Sequence, residues 1–565
     1  MISLVAVVVF FSVWQSIFPP PVPVDSVSQE KLSGDHKLSD LTVEKIAGQA
    51  EGETIEIAEP SPSVTPSSLK PITRLHTLRD EHRFEVEFNS RGDIDQWSIL
   101  ESQYRHRLSE TETVPYVLST REPLMKEGGG LIAPFLTPTM EVKFNNELVQ
   151  GEYTIEPGSN ATNVSFVMRT AKLEVRKRYE VKPGEYRLRS HVEVKNLSGA
   201  RAHIEVLGIA RAVQDSSASE GGMFTPPLNL LESICAYGDD FERDSYSYLL
   251  SKLEDKDPVS FTGARWFGVD SRYFMISLSG TQALTCTQSV DPKLLSLKAG
   301  VPAGFSPLST SAVYYADFVN SAEQVKSEVT FYGGPKQLDL LAAVEPSLNE
   351  AIDFGIFSPI CYLMLWAMGL FFSWLPNWGL AIILLTVLVK LLTLPLTLKQ
   401  YRSMAAMKKI QPELSALKEQ HKDDPMRMQQ ETMALYKKHG ANPLSGCLPM
   451  LVMMPIYFAL YRTIYSAVEL YQAHFIGWLH DLSMPDPYFV TPVVLAGLMF
   501  LQAQLQPTNS AMDPAQRKML TTFMPLMFGG MMLFLPSGLV LYILVNTALG
   551  LVQQQWSQRS MEAKG

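Results

Sequence analysis

The sequence has few cysteines and no recognisable set of metal ligands. Its four cysteines, Cys235, Cys286, Cys361 and Cys447, form no Cys-x-x-Cys pair and have no histidine at the spacing of a structural zinc site. We therefore expect no bound metal and no cofactor. Cys235 and Cys286 both fall in the first half of the chain and can pair if that half is exported, but the sequence gives no geometry for them.

An excess of basic charge is also missing. The 565 residues carry a net charge of −10. Residues 351–565 hold 15 Lys and Arg against 11 Asp and Glu, a net charge of +4, so residues 1–350 carry −14. Neither half is basic enough to bind nucleic acid, and aromatic residues are not interleaved with basic ones. The first half is acidic and polar, whereas the second is apolar with basic loops.

The long apolar runs of the second half contain no aspartate or glutamate. One of them carries Lys390 near its middle, where a charge costs about 2.5 to 3.5 kcal/mol and usually faces a polar cavity or pathway. The alternative is a lysine that thins the bilayer or pairs with a structural partner. Because ion relays normally supply acidic partners, an ion pump is disfavoured. A lone cation is better suited to attract an acidic group that arrives from elsewhere.

Three segments precede these runs. Residues 1–18 are apolar, lack a basic start and a small-x-small cleavage site, and therefore predict an uncleaved membrane anchor. Residues 19–70 have the Pro-, Ser- and acid-rich composition of a flexible linker. Residues 71–345 contain runs that alternate with a period of two, separated by turns, and predict a large antiparallel β-sandwich.

The charges of the loops predict the topology. Residues 399–440 form a basic, amphipathic helical hairpin that should be cytoplasmic by the positive-inside rule. Two complete spans in tandem before it would leave the β domain on that same side, so we predict that residues 349–376 form an interfacial helix on the outer face. The hairpin either only joins two spans or docks a ribosome, a targeting receptor or lipid headgroups.

We predict six spans with both termini in the cytoplasm. The first is the anchor, residues 468–487 form an outer loop, residues 557–565 form a cytoplasmic tail, and the remaining spans are residues 377–398, 441–467, 488–506, 516–536 and 538–556.

Soft and polar side chains are concentrated in particular spans. Methionine adapts to irregular apolar partners and suits a surface that binds many hydrophobic sequences, although ordinary lipid-facing packing is the alternative for any single residue. The methionines of interest, in the third and fifth spans, are Met450, Met453, Met454, Met524, Met527 and Met531. Polar groups within the spans, besides Lys390, include Thr386, Gln502, Gln504, Tyr542 and Asn546.

Several of these segments together resemble a known family. They are NWGLAIILLTVLVKLLTLPLT, the hairpin through QPELSALKEQHKDDPMRMQQETMALYKKHGANPLSGCLPMLVMMPIYFALY, DLSMPDPYFVTPV, MDPAQRKMLTTFMPLMF and FLPSGLVLYILVN. They cover most of residues 376–556 and resemble the YidC/Oxa/Alb family of membrane protein insertases, specifically its members from Gram-negative bacteria. RGDIDQW and GARWFGVDSRYF in the first half are weaker marks of the same resemblance.

The resemblance implies a periplasmic β-supersandwich and a hydrophilic groove that is open to cytoplasm and lipid and holds one cation. That cation falls on Lys390, where the family commonly has arginine, and lysine lacks the bidentate fork of arginine. Thr386 and Tyr542 fall on groove positions of the family, whereas Ile543 replaces a neighbouring aromatic residue. The third and fifth spans resemble the family's apolar slide for incoming segments.

The function implied is insertion, folding and assembly of membrane proteins in the bacterial inner membrane, without catalysis of a chemical reaction. The partners implied are nascent membrane proteins, membrane lipids and, as further expectations, the Sec translocon, the ribosome and the signal recognition particle receptor. One alternative is a transporter or channel that uses the same groove for a small anion. Another is an anchored periplasmic sugar-processing enzyme, although no acid and base pair stands out in the β domain.

Overall fold

A computed structural model describes residues 72–80, 82–107, 113–121, 133–214, 230–254, 259–280, 285–290, 306–421, 425–438, 443–505 and 518–562. The predicted anchor, residues 1–18, and the predicted linker, residues 19–70, lie outside these ranges. Within the helices, some side chains also lie outside these ranges, namely those of residues 402–409, 411, 415, 418, 419, 425, 438, 443–453, 520, 558 and 560–562.

The alternating runs of the first half form the strands of a β domain. The strands are β1 Arg74–Arg79, β2 Phe84–Asn89, β3 Ile94–Ile99, β4 His106–Arg107, β5 Thr113–Val114, β6 Tyr116–Thr120, β7 Phe135–Phe144, β8 Glu147–Leu148, β9 Thr154–Ile155, β10 Asn163–Arg169, β11 Leu173–Val181, β12 Arg187–Asn196, β13 Ala202–Gln214, β14 Glu232–Tyr237, β15 Asp240–Ser245, β16 Val259–Thr262, β17 Ala264–Asp270, β18 Phe274–Gly280, β19 Thr285–Val290, β20 Ser306–Val319 and β21 Gln324–Pro335.

These strands build two large sheets. The ten-stranded sheet has the order β1-β2-β3-β6-β7-β13-β20-β19-β16, with β8 paired to β7, and the nine-stranded sheet has the order β15-β14-β17-β18-β21-β12-β11-β10-β9. Among the described strands, only β6 and β7 pair in parallel; the other ladders are antiparallel. The predicted antiparallel β domain is thus confirmed.

Strand β11 shows how the sequence pattern produces a buried face. Leu173, Val175, Tyr179 and Val181 are buried, while the residues between them are more exposed, as the pleat of a strand requires. Lys177 occupies the same buried face, and its Nζ lies 2.6 Å from Asp93 Oδ1. A charged residue in a core register is therefore accommodated by a paired carboxylate.

The two sheets are joined across the core by covalent and polar links. Cys235 of β14, in the nine-stranded sheet, forms a disulfide with Cys286 of β19, in the ten-stranded sheet. Nearby, Gln288 Nε2 donates a hydrogen bond to the Ser233 carbonyl at 2.8 Å. The structure therefore settles the pairing that the sequence left open.

Removing this disulfide is expected to destabilise the β domain. It closes a sequence separation of 51 residues, for which the chain-entropy estimate is about 4 kcal/mol. We expect the double variant Cys235→Ala/Cys286→Ala to lower the thermal unfolding midpoint of the β domain, measured by proteolysis of the full-length protein in detergent over a temperature series. A reductant should lower the wild-type midpoint to that of the variant and leave the variant unchanged. Equal midpoints for the two oxidised proteins would contradict this expectation.

The helices follow the apolar runs of the second half, with two short helices inside or just after the β domain. They are α1 Tyr246–Glu254, α2 Leu338–Val344, α3 Ser358–Trp374, α4 Trp378–Gln420, α5 Pro425–Lys438, α6 Pro443–Ser466, α7 Val490–Leu505, α8 Met524–Met531 and α9 Ser537–Glu562. A π-helical turn, Met519–Phe523, precedes α8, and a 3-10 turn, Met532–Phe534, follows it.

Helix α4 continues through the predicted boundary at residue 398. It has 43 residues, so it is about 65 Å long and extends well beyond the hydrocarbon core of a bilayer. Its distal part packs against α5 through Ile410, Leu414 and Leu435. The first arm of the predicted hairpin is therefore an extension of the span and not a separate helix.

Within the described part of the chain, three helical stretches are long and apolar enough to cross a membrane, namely Gly355–Trp374, Trp378–Tyr401 and Ser537–Ser557. Val490–Leu505 and Thr521–Phe534 are shorter apolar helices. Pro525 explains the irregular start of the latter, because proline removes a helical hydrogen bond and a π-turn relieves the mismatch. The count of six spans stays a prediction.

Helix α3 has two different faces. Cys361, Met364 and Met368 are buried against the other helices, whereas Leu363 and Trp366 are exposed. By length and composition the helix qualifies as a span. Its interfacial placement therefore depends on the topological argument and stays a prediction.

Candidate functional site

Lys390 lies inside the helical bundle, where α4, α7 and α9 come together. Its side chain is half-buried. A Cβ atom placed on Gly550 of α9 would lie 3.6 Å from Lys390 Nζ and 3.7 Å from Gln502 Nε2 of α7. Both nitrogen atoms thus face the same glycine. Because Gly550 has no side chain, it leaves the room that the lysine occupies.

Lys390 has no carboxylate partner within the residues that the structure describes. None of the described Asp or Glu oxygens lies within 4.0 Å of its Nζ, whereas other lysines such as Lys177 and Lys336 have such partners. A half-buried cation without a counter-charge is electrostatically expensive. This part of the bundle is therefore suited to bind a negatively charged group.

Helices α4 and α9 run in the same direction from the loop that joins α6 and α7. Asn377 Nδ2, at the start of α4, donates to the Phe475 carbonyl at 2.9 Å, and the Gly538 amide, at the start of α9, donates to the Leu482 carbonyl at 2.9 Å. Lys390 and Gly550 lie about 18 to 20 Å along the axis from these starts, given the helical rise. They consequently share one depth in the bundle.

Thr386 lies one turn before Lys390 on α4. It is buried, and its hydroxyl donates to the Ile382 carbonyl at 2.7 Å. The hydroxyl proton of Thr386 is therefore engaged in a hydrogen bond within its own helix. The hydroxyl oxygen can still accept a hydrogen bond from another group. Its role in a groove stays a prediction.

A second polar cluster joins α6 and α9. Tyr542 is buried, and its hydroxyl has no hydrogen-bond partner among the described residues. One turn further along α9, the side chain of Asn546 lies close to that of Tyr457 on α6. The sequence prediction includes Tyr542 and Asn546 but not Tyr457. The signal that could have found Tyr457 is its hydroxyl within an otherwise apolar segment.

The two glutamines of α7 lie on different faces. Gln502 is half-buried beside Lys390, whereas the predicted Gln504 is exposed. Side chains two residues apart on a helix point in different directions, so they cannot both face the lysine. Gln504 as a groove residue stays a prediction, but the amide that the structure brings to Lys390 is that of Gln502.

The predicted methionine surface is partly described. Met454, Met524 and Met531 are half-buried, and Met527 is exposed on α8. The side chains of Met450 and Met453 lie outside the described residues. Leu526 beside Met527 is also exposed, so α8 presents an apolar outer face.

The loop between α6 and α7 covers the end of the bundle next to the β domain. Asp481 Oδ1 accepts hydrogen bonds from the Gln472 and Ser483 amides at 3.0 and 2.8 Å. The ring of Phe475 packs so closely on α4 that a Cβ on Gly379 would lie 2.0 Å from it. The glycine is thus required for this contact, and the loop is fixed onto the helix starts.

The β domain is attached to the helical bundle at the turn between β17 and β18. Arg272 Nε donates to the Tyr465 carbonyl near the end of α6 at 2.7 Å, and its guanidinium lies 3.6 Å from the centre of the Tyr465 ring. Tyr471 packs edge-on against Phe274, with ring centroids 5.3 Å apart. The turn therefore contacts the C-terminal end of α6, a helix that contributes to the polar cluster.

A buried ion cluster forms a second attachment. Asp270 Oδ2 accepts from Lys336 Nζ at 2.7 Å and from Arg243 Nη1 at 2.9 Å. Both cations also donate to the Ala351 carbonyl, at 3.2 and 2.7 Å respectively, just before α3. The sequence pattern indicates no role for these residues, since their proximity depends on tertiary structure.

These features define a polytopic helical membrane protein with a polar cluster inside its bundle and an antiparallel β domain docked on one end. The model of the family described as 60Kd inner membrane protein matches residues 370–564, and that described as YidC periplasmic domain matches residues 81–367. The chain belongs to the YidC family of membrane protein insertases. The resemblance noted in the sequence is thereby confirmed.

Two relatives with similar sequences agree with this assignment. The membrane protein insertase YidC of Anaeromyxobacter dehalogenans (strain 2CP-C) is 37% identical over 430 residues, which cover 73% of this chain and 74% of the relative. The membrane protein insertase YidC of Cupriavidus necator is 30% identical over 574 residues, which cover 99% of this chain and 96% of the relative. A crystal structure of an active YidC insertase with its first transmembrane domain resolved is 17% identical, with a TM-score of 0.34, and covers 86% of this chain and 94% of that one.

Membership places the protein among inner membrane insertases whose clients are nascent membrane proteins. This family is not an enzyme family. The β domain corresponds to the periplasmic domain of the family.

Proposed function

We propose that Lys390 is the recruiting cation of a hydrated groove that draws acidic segments of nascent membrane proteins into the bundle. The observation that carries this proposal is a half-buried lysine that faces Gly550 and Gln502 and has no carboxylate partner among the described residues. A carboxylate at about 4 Å, with an effective dielectric constant near 20, would gain on the order of 4 kcal/mol before desolvation costs. Thr386, Gln502, Tyr542 and Asn546 are proposed to line the same groove, whereas the predicted Gln504 lies on another face of α7.

The apolar part of the client would move along α6 and α8. Methionine side chains there, including Met454, Met524 and Met527, adapt to apolar segments of different shape. The exposed apolar face of α8 supports this path. Together with Met450, Met453 and Met531, these residues form the proposed slide.

Insertion by this route needs no chemical energy source. A Leu-rich segment gains about 0.3 to 0.6 kcal/mol per residue on insertion scales. Each negative charge moved outward gains about 2.3 kcal/mol per 100 mV of inside-negative potential. The protein then only has to lower the barrier for the polar tail, which the lysine does by supplying a counter-charge part of the way across.

The topology proposed for this function has six spans, both termini in the cytoplasm and the β domain in the periplasm. Helix α3 then lies along the outer interface, with Leu363 and Trp366 toward lipid. The hairpin of distal α4 and α5 would face the ribosome or the signal recognition particle receptor. Its basic side chains suit such partners and anionic lipid headgroups.

Site-specific photo-crosslinking to a stalled nascent chain tests the proposed slide. A crosslinker at Met527 should capture the client's apolar segment. The matched control is Leu392, which is also apolar and exposed but lies two residues from Lys390 and hence on another face of α4. Equal capture from both positions would show that the client meets the protein only through lipid, and would overturn the proposed path.

A further inference from the structure

The outer loop between α6 and α7 contains a small closed hairpin, residues 473–482. The Phe475 amide donates to the Leu479 carbonyl at 2.9 Å, and the Leu482 amide donates to the Ala473 carbonyl at 3.0 Å. Gly477 at its tip has a φ of +58°, a conformation that glycine adopts at no steric cost. This geometry places His474 and His480 opposite each other on the two arms.

The two imidazoles lie beside each other with nearly parallel planes. Their Nδ1 atoms are 3.1 Å apart, the ring centroids are 5.1 Å apart, and the planes differ by only 20°. Both side chains are exposed. With neutral rings, one Nδ1–H donates to the other Nδ1, so one ring must take the tautomer that is protonated at Nδ1.

The same geometry matches two ligands of one metal ion. Zinc binds imidazole nitrogen at about 2.0 to 2.1 Å, so two nitrogens on a tetrahedral ion are about 3.3 Å apart. The observed separation is within a few tenths of an ångström of this value, and small rotations of the exposed rings can supply the difference. Imidazole is a suitable ligand for zinc, copper and nickel.

We propose that His474 and His480 form a labile transition-metal site on the outer face of the protein, with two imidazole ligands for Zn²⁺ or Cu²⁺. In the described ranges, no group of three or more His, Cys, Asp or Glu side chains is placed to hold a metal ion. The neighbouring Asp481 is engaged through Oδ1 with Gln472 and Ser483. Water therefore completes the coordination, and the ion exchanges readily.

Such an ion would link the two arms of the hairpin. The hairpin also holds the starts of both α4 and α9 through the Phe475 and Leu482 carbonyls. Zinc binding is therefore expected to slow hydrogen exchange of the Phe475 and Leu482 amides. The site would be a metal-dependent stabiliser of the closed outer end of the bundle.

Titration of the full-length protein in detergent with Cu²⁺, followed by electron paramagnetic resonance, tests the site. We expect a signal with two equivalent nitrogen ligands, and an affinity that falls about tenfold or more in His474→Ala and in His480→Gln, because each variant loses the chelate. The control is His191→Ala, which removes an imidazole whose nearest carboxylate, that of Glu328, is 3.9 Å away; it should leave the signal unchanged.

Amide exchange with and without Zn²⁺ provides the second measurement. Protection of Phe475 and Leu482 should appear in the wild-type protein and be absent in His480→Gln. Unchanged copper affinity in both variants, or a spectrum with a single nitrogen ligand, would overturn the proposal. Binding without any protection of the hairpin amides would overturn the linking role.

Discussion

Replacing Lys390 by alanine is expected to reduce insertion of a client with an acidic outer tail by about tenfold or more, which corresponds to at least about 1.4 kcal/mol in the barrier. The variant removes the cation that faces Gly550 and Gln502, so the carboxylates of the client enter the membrane without a counter-charge. The gross attraction is on the order of 4 kcal/mol, and part of it is offset by desolvation. The measurement is protease protection of the client tail in proteoliposomes that contain equal amounts of each variant.

The controls test whether a loss of insertion comes from the missing charge of Lys390 or from damage to the fold of the variant. Lys390→Arg should retain insertion, because arginine keeps the charge at this position. A client whose tail acids are replaced by neutral residues should be affected much less by Lys390→Ala. Undiminished insertion of the acidic client by the alanine variant, at normal protein levels, would remove Lys390 from the mechanism.

The sequence predicted those parts of the site that depend on composition along one helix. The charge of Lys390 and the absence of acids in the spans are visible in the sequence, and the structure places no described carboxylate near this lysine. The alternating runs predicted the β domain because burial on one face of a strand has a period of two. The family resemblance rested on long, specific segments and was confirmed.

Other parts depend on how elements meet, which a linear pattern does not contain. Gln502 and Gln504 are equivalent in the sequence, and only the packing of α7 against α9 distinguishes them. The continuation of α4 past residue 398 was not predicted, because the change from apolar to basic residues marks the edge of the membrane and not the end of a helix. The pairing of Cys235 with Cys286 required the order of the strands.

The attachment of the β domain shows most clearly that contacts between distant segments are not visible in the sequence pattern. Asp270, Arg243 and Lys336 are far apart in the sequence, yet they form one buried cluster that reaches the Ala351 carbonyl. Charged residues on strands are usually solvated, so their pattern alone favours the surface. Only the fold shows that these charges neutralise one another between the β domain and the segment before α3.

Replacing Asp270 by alanine is expected to destabilise the β domain by about 3 to 5 kcal/mol, because it leaves buried cations without their shared carboxylate. Asp270 and Lys336 are 1% and 5% exposed, so water cannot readily take the place of the lost partner. Glu232, 2.8 Å from Arg243, still pairs with the arginine, which leaves Lys336 as the main source of the cost. The measurement is pulse proteolysis of the full-length protein in detergent over a urea series, followed by loss of the β-domain fragment.

The matched control is Arg169→Ala, which breaks an ion pair with Glu174 in which the arginine side chain is 70% exposed. A loss of stability below about 1 kcal/mol is expected for this variant.

The pH dependence of stability gives an independent check. Burial already lowers the pKa of Lys336 below the ordinary value of a lysine, and loss of Asp270 lowers this pKa further. At this lysine the unfolded chain then binds more protons than the folded variant, so the stability of the variant relative to that of the wild-type protein should rise with pH through the alkaline range. If Asp270→Ala costs no more than Arg169→Ala and its stability does not respond to pH, then Lys336 reaches solvent in the variant and the cluster does not hold the β domain to the bundle.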